Sequence, residues 1–363
     1  MLFSPQPKTN REELFDREKE LKDLSKALDR YPMVVVTGLR RVGKSSVVRV
    51  FLSENSLPFI YVDGRRVYEM SGGSMGSHAL QRALEMEFSR LSKSRKLLNF
   101  LKKIKGINIA GSGVEIDKRE FDLTSTFESF DRFAKNEGRY FVVFFDEVQY
   151  FKFYGSRGGK DILALLSFVY DNLENVKIVM TGSEVGMLHD FLRLDDYDSP
   201  LYGRPLFTMT VHPFSEELSI EFLKRGFKEV GVNVDFDLEE VVSQIDGIPG
   251  YLVLFGLKYL ETRNVKRALE EVFSTMEVLF SKELEELDRR SRRYRTILKL
   301  VASGVKSWSG IKRYFASTGE PISDSRLHSL LLNLEKMSFV EKTRDGYRIS
   351  DPVLVRVISR QKG

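Results

Sequence analysis

Residues 38–45 read Gly-Leu-Arg-Arg-Val-Gly-Lys-Ser, the G-x-x-x-x-G-K-[ST] spacing of a phosphate-binding loop. The residue types supply the chemistry. Gly38 and Gly43 let the backbone bend and approach phosphate oxygens with no Cβ in the way. Loop N–H groups and the positive end of the following helix cradle an anion. Lys44 reaches the β- and γ-phosphates, and the Ser45 hydroxyl is offered to Mg²⁺. Contacts to ATP or ADP are expected from Gly38, Arg40, Arg41, Val42, Gly43, Lys44, Ser45 and Ser46.

Hydrolysis needs two further groups: a carboxylate for the Mg²⁺ and a group that orients the attacking water. Both belong at the carboxyl ends of parallel strands, beside the loop. The apolar run Phe141-Val142-Val143-Phe144-Phe145 ends in Asp146-Glu147. Asp146 is expected to share the metal with Ser45, and Glu147 to polarise the water. An ordinary acidic turn is the plainer alternative, and the nearby phosphate loop weighs against it. Ser183 follows another expected buried strand, Val176–Thr181. Two roles fit it: contact with the γ-phosphate or lytic water, or N-cap of the segment from Val185. Arg204, on a loop before a strand, is either a surface arginine or a charge for phosphate, acting within its own molecule or on a neighbour. Lys44, Asp146, Glu147, Ser183 and Arg204 are thus the candidate catalytic residues.

These groups need a scaffold. Met33–Thr37 reads as a buried strand before the loop, and Ser46–Leu52 as a helix after it. A helix is expected over 16–30, capped by Asp16. Phe59–Asp63 and Leu206–Val211 are further strands. A long helix is expected from about His78 to Lys105. A hairpin is expected around Gly111-Ser112-Gly113, and helices over 127–136 and 162–173. Strands and helices alternate to about residue 213, the pattern of a doubly wound parallel sheet. Residues 215–287 then read as helices, interrupted at Gly247-Ile248-Pro249-Gly250. After Arg292, helical patterns lead to a hairpin about Asp345-Gly346, which suggests a winged helix-turn-helix. The expected architecture is α/β: a doubly wound phosphate-loop NTPase core (1–214), a helical segment (215–290) and a winged helix (291–363).

Composition narrows the class. The 363 residues are 42% hydrophobic and 30% charged, with no cysteine. That excludes disulfides, zinc fingers and thiol catalysis, and favours a cytoplasmic setting. No apolar run approaches the roughly 18 residues of a membrane span. Met1–Asn10 lacks a hydrophobic signal region and reads as a short mobile tail. The net charge of +5 is uneven: residues 289–363 hold 17 Lys and Arg against 6 Asp and Glu. The last fifth of the chain is therefore the candidate face for a polyanion.

Read together, these motifs resemble the archaeal ATPase family, in the signal-transduction branch of the AAA+-like P-loop ATPases. The resemblance is carried by Phe15-Asp16-Arg17-Glu18, the loop at 38–45, and Phe-Phe-Asp-Glu-Val-Gln at 144–149. Thr-Gly-Ser at 181–183 with Gly186-Met187-Leu188, and Leu-Tyr-Gly-Arg at 201–204, continue it. Pro213-Phe214, Gly-Ile-Pro-Gly at 247–250 and Ser350-Asp351-Pro352 complete the order. The resemblance implies that Phe15, Asp16 and Arg17 help surround the adenine. It also implies that residues 215–290 form a helical lid subdomain, and that the turn carrying Pro249 brings the lid to the nucleotide. One departure stands out. Related AAA+ enzymes place an arginine early in a lid helix to sense the γ-phosphate; here the Gly-Ile-Pro-Gly turn occupies that region and Tyr251 follows.

Three readings fit. The first is a Mg²⁺-dependent ATPase used as a conformational switch for the winged helix. The second is a DNA-binding regulator with nucleotide as a structural ligand. A small-molecule phosphotransferase is disfavoured, because the strand end resembles a water-activating site. The winged helix is expected to meet duplex DNA, through Arg313, Arg326 and the helix from Asp324, or else a protein partner. A homo-oligomer is compatible with Arg204 acting on a neighbour.

Overall fold

The most apolar segments form the sheet. The computed structural model describes residues 1–360 except 74, 111 and 112. Along the core run α1 (Glu18–Arg30), β1 (Met33–Thr37), α2 (Lys44–Glu54), β2 (Phe59–Asp63), α3 (Gly64–Met70), α4 (Ser77–Leu91) and α5 (Arg95–Leu101). They are followed by β3 (Ile107–Ala110), β4 (Gly113–Ile116), α6 (Leu123–Glu137), β5 (Phe141–Asp146), α7 (Lys160–Asn172), β6 (Val176–Gly182), α8 (Val185–Leu192) and β7 (Phe207–Thr210). The five-stranded sheet has the order β2-β5-β6-β1-β7 and is parallel throughout. Strands β1, β5 and β6 are buried along their whole length. Helices cover both faces, so near-continuous apolar runs are what such strands require. Edge strand β2 alternates instead. Its outer edge is occupied by α4: Tyr61 N–H donates to Glu87 Oε2 (2.9 Å) and Arg90 Nη2 donates to the Phe59 carbonyl (2.6 Å).

Four helices make the lid: α9 (Glu216–Glu229), α10 (Leu238–Ile245), α11 (Pro249–Thr262) and α12 (Val265–Arg290). Ser215, Asp237 and Asn264 cap three of them by accepting backbone N–H bonds, and Pro249 opens α11. The winged helix comprises α13 (Arg293–Ala302), α14 (Trp308–Ser317), α15 (Asp324–Lys336), the hairpin β8 (Val340–Thr343) and β9 (Gly346–Ile349), and α16 (Pro352–Arg360). At 26 residues, α12 is about 39 Å long. Its buried residues join lid and winged helix in one continuous apolar cluster, separate from the two clusters that flank the sheet.

Several expectations are corrected. The segment 78–105 is two helices, broken where Ser92 Oγ bonds back to the Ser89 carbonyl and Ser94 turns extended. The β3–β4 hairpin is present, but Gly111 and Ser112 of its turn lie outside the described residues. Asp16 does not cap α1. It takes φ +45°, and Arg17 occupies the cap position without a side-chain bond. The first residues are not a loose tail. Leu2 and Phe3 are buried, with the Phe3 ring against Phe222 and Phe227. The Phe3 ring fills the space over Gly226 and Gly256, where an added Cβ would lie 2.4 and 2.6 Å from it. The N-terminal segment is thus stitched into the lid, and Lys8 N–H ties it to Ser46 Oγ (3.0 Å) beside the phosphate loop. Phe3→Ala is expected to cost about 3–5 kcal/mol, measurable as a lower guanidinium midpoint for the transition that includes the lid.

Candidate active site

The loop sits where β1 stops, and its backbone is made for close approach. Gly38 takes φ +142°, and a Cβ there would lie 2.3 Å from the Val211 carbonyl oxygen. Gly43, at φ +97°, ends the loop and starts α2. Lys44 Nζ lies 3.0 Å from the Gly38 carbonyl and 2.9 Å from that of Leu39, donating to both. Burial lowers its pKa, while the charges of Glu147 and Asp146 oppose the shift. Arg17 braces the loop from behind. Its Nη2 donates to the Val42 and His212 carbonyls (3.2 and 3.0 Å), Nη1 pairs with Glu20, and its guanidinium lies over Phe214.

The sheet order brings the carboxylates alongside. Strand β6 lies between β1 and β5, so Thr181 stands between the loop and Asp146. Ser45 Oγ donates to Asp146 (2.8 and 3.0 Å), Tyr61 OH donates to Oδ2 (2.9 Å), and Thr181 Oγ1 donates to Oδ1. Thr181 Oγ1 also accepts the Glu147 N–H (3.1 Å). Glu147 takes the left-handed conformation at φ +49°, which turns its side chain off the strand line. Glu147 Oε2 accepts from Ser183 N–H (3.1 Å), Ser183 Oγ (2.8 Å) and Gln149 Nε2 (2.7 Å). Burial alone would raise its pKa. The Lys44 charge and these donors outweigh burial and hold it below the usual glutamate range. Glu147 is thus a carboxylate kept ionised, lining the cavity beside the phosphate loop.

The residues fit a magnesium nucleotide. Ser45 and Asp146 present hard oxygens side by side, the donor chemistry Mg²⁺ takes from protein while phosphate and water supply the rest. Among the described residues no three His, Cys, Asp or Glu side chains cluster to hold a metal unaided. A cavity of about 560 Å³ opens from the loop between core and lid. Residues Ser4–Lys8, Phe15, Arg17, Arg41–Ser46, Glu147, Pro249 and Gly250 line it, with Val253, Leu254 and Met276. Apolar lid residues on one side and loop donors on the other suit a base and its phosphates.

The expected site residues therefore separate. Phe15, Arg17, Arg41, Val42, Gly43, Lys44, Ser45, Ser46 and Pro249 line the cavity; Asp16 is not among its lining residues. Arg40 faces the other way, between Glu184 (2.6 Å) and Glu283 of α12. Those two carboxylates outweigh burial and raise its pKa. Ser183 is no helix cap, since Glu184 holds that position before α8, and its hydroxyl is spent on Glu147. Arg204 is placed at the opposite end of the sheet. It precedes β7, which runs parallel to β1, so a whole strand, about 13 Å for four residues, separates it from the loop. There it pairs with Asp171 at 2.6 and 3.0 Å. Its expected action on phosphate within the same chain is thereby corrected. Sequence reasoning missed Tyr61, Thr181 and Gln149. Thr181 carried the one usable signal, a hydroxyl at the end of a strand that is apolar except for Lys177.

The profile of a family described as an ATPase domain predominantly from Archaea matches residues 14–255. The chain belongs to this family. A second profile, the MCM protein C-terminal winged helix-turn-helix domain, matches residues 288–350. Among solved structures the chain is similar to the Walker-type ATPase Paby2304 of Pyrococcus abyssi, at 43% identity and TM-score 0.89. That match covers 99% of this chain and 100% of that one. It is also similar to the ORC2 protein of Aeropyrum pernix, solved as ADPNP–ADP complexes, at 13% identity and TM-score 0.59. There 99% of this chain and 96% of that one are covered, and the likeness concerns the fold alone. No curated protein matches in sequence. This archaeal ATPase is thus a P-loop ATPase with an Orc-like fold and a C-terminal winged helix.

Two substitutions separate binding from chemistry. Lys44→Ala is expected to abolish nucleotide binding, read by titration with a fluorescent nucleotide. Glu147→Gln is expected to keep ATP bound while phosphate release falls by about 10²- to 10⁴-fold; equal turnover would remove Glu147 from the mechanism.

Proposed function

We propose that this chain binds ATP with Mg²⁺ and hydrolyses it slowly as a conformational switch that moves the winged helix. In this reading Lys44 and the loop amides hold the β- and γ-phosphates, and Ser45 and Asp146 hold the Mg²⁺. The ion draws charge from the transferred phosphoryl group when bound. Ser183 and Gln149 aim Glu147, which orients the attacking water and takes its proton. Phe15, Arg17 and Pro249 enclose the base. Core, lid and winged helix are assigned to 1–214, 215–290 and 291–363, and the setting to the cytoplasm. Arg204 retains a role toward phosphate only on a neighbouring copy, in an assembly that also breaks its pair with Asp171.

One observation carries the switch. The winged helix rests on the segment that directly follows the partner of the catalytic glutamate. Ser338 Oγ accepts the Val185 N–H (3.3 Å), and Lys336 pairs with Asp190 (2.8 Å). Gly186 lies so close under Lys336 that a Cβ would come within 2.5 Å of its Cα. A shift of Ser183 and Glu147 on loss of the γ-phosphate therefore acts directly on this contact. Amide hydrogen exchange over 185–192 and 324–338 is expected to differ between a non-hydrolysable ATP analogue and ADP. Identical exchange in the two states would refute the switch.

A second reading is supported by the basic C-terminal segment: a DNA-binding regulator in which nucleotide is mainly structural. Arg313, Arg326, His328, Lys342 and Arg344 are exposed on α14, α15 and the wing. Under either reading the full chain is expected to bind duplex DNA with steep salt dependence, because each neutralised phosphate releases counterions. Arg326→Ala should lower the log–log salt slope by about one if that side chain meets phosphate. No binding at low salt would assign the winged helix to a protein partner.

A further inference from the structure

Helix α11 of the lid, Pro249–Thr262, carries no arginine, yet a charged contact joins it to the phosphate loop, running the other way. Arg41 of the loop lines the nucleotide cavity. Its guanidinium lies over the rings of Tyr251 (5.7 Å) and Phe280 (5.6 Å), and Nη1 is 3.5 Å from Tyr251 OH. Its carbonyl accepts the Gly250 N–H (3.1 Å), and Gly250 is close enough that a Cβ would stand 2.7 Å from the Arg41 Cβ. Tyr251 is wholly buried, and its hydroxyl donates to Asp351 Oδ2. Asp351 belongs to the winged helix. Its other oxygen accepts the Val353 N–H (2.9 Å) and so fixes the start of α16. Three residues, from core, lid and winged helix, thus form one chain of contacts that begins inside the nucleotide cavity.

We propose that Asp351 is a positioning residue of the ATPase site, acting through Tyr251 on Arg41 of the phosphate loop. The inference rests on the switch described above and names its second arm. The tyrosine hydroxyl has one proton to donate, and Asp351 takes it. That leaves the phenol oxygen facing Arg41 as an acceptor and fixes the ring beneath the guanidinium. Arg41 is held against the lid by ring faces and a neutral oxygen, with no carboxylate directly on it among the described contacts. A γ-phosphate in the cavity is a stronger partner for a guanidinium than either. Triphosphate therefore draws the Arg41 guanidinium from Tyr251 and loosens the side-chain contact between the loop and the lid with its attached winged helix, while the Gly250 N–H bond to the Arg41 carbonyl remains. By reciprocity, a partner that displaces Asp351 alters nucleotide affinity by the same factor.

The experiment uses the full chain and two conservative variants. Tyr251→Phe keeps the buried ring and deletes the hydroxyl. Asp351→Asn keeps the oxygen that caps α16 and removes the acceptor for Tyr251. Melting of the nucleotide-free variants reports whether each is folded. Three readouts follow: KM and kcat for ATP, affinity for a non-hydrolysable analogue, and amide exchange over 185–192 and 324–338 with analogue or ADP. Each variant is expected to change analogue affinity and KM about five- to tenfold with kcat within about twofold, the scale of ordinary site coupling. Each is also expected to lose most of the nucleotide-dependent difference in exchange. Arg41→Lys, which keeps the charge, combined with Asp351→Asn should be non-additive in analogue affinity, although Tyr251 lies between the two residues. If wild type shows the exchange difference and both variants retain it with unchanged affinity, the relay is wrong and the switch stands. If Arg41→Lys and Asp351→Asn add independently, the relay is also wrong. If wild type shows no exchange difference, the switch reading falls and the relay with it.

Discussion

A buried carboxylate has to be satisfied, and in this protein Asp146 organises the site by collecting three hydroxyls. Ser45 comes from the helix after the phosphate loop, Tyr61 from the edge strand and Thr181 from the strand between. Only an order that sets β6 between β1 and β5, with β2 beyond β5, brings all three to one point. Leaving such a group without donors would cost several kcal/mol. The same arrangement puts the Glu147 backbone on Thr181 and its carboxylate on Ser183. The adjacent acidic residues are thereby turned to different partners, Asp146 to Ser45, Tyr61 and Thr181 and Glu147 to Ser183 and Gln149.

Much of this was legible in the chain. A complete phosphate loop between strand and helix fixed the nucleotide end of the sheet, and the acidic pair after the most apolar strand fixed its partner. Local patterns determine those features, so a linear reading reaches them. What escaped depends on contacts far apart in sequence. Phe3 is anchored by two glycines more than 220 positions away. Of the readings open for Arg204, action on phosphate within its own chain fails, because the direction of β7 puts it at the far end of the sheet. Asp16 has a capping residue's chemistry and a backbone conformation that forbids the role. The Ser92–Ser94 break carries neither glycine nor proline, so helical periodicity runs through it unmarked.

The lid and the winged helix share a core, whereas the sheet keeps its own. A long helix buried along both partners makes them one body. Apart from the Phe15 ring on Phe222, the joints to the sheet include polar or tight ones: Arg40 with Glu283, Arg41 with Tyr251 and Gly250, the Phe214 N–H with the Gly247 carbonyl, the Val185 N–H with Ser338, and Lys336 with Asp190. Contacts of this kind exchange partners at small cost, while an apolar core resists being opened. On the proposed switch, these joints are where nucleotide chemistry acts.

The guarded edge of β2 has a bearing on how copies of the chain can meet. Glu87 and Arg90 of α4 already use the outward N–H of Tyr61 and the carbonyl of Phe59, so a passing strand finds no ladder to extend. Growth of the sheet from one molecule into the next is closed off on that side. A copy that meets the chain on that side has to dock on helix α4 rather than on the sheet edge.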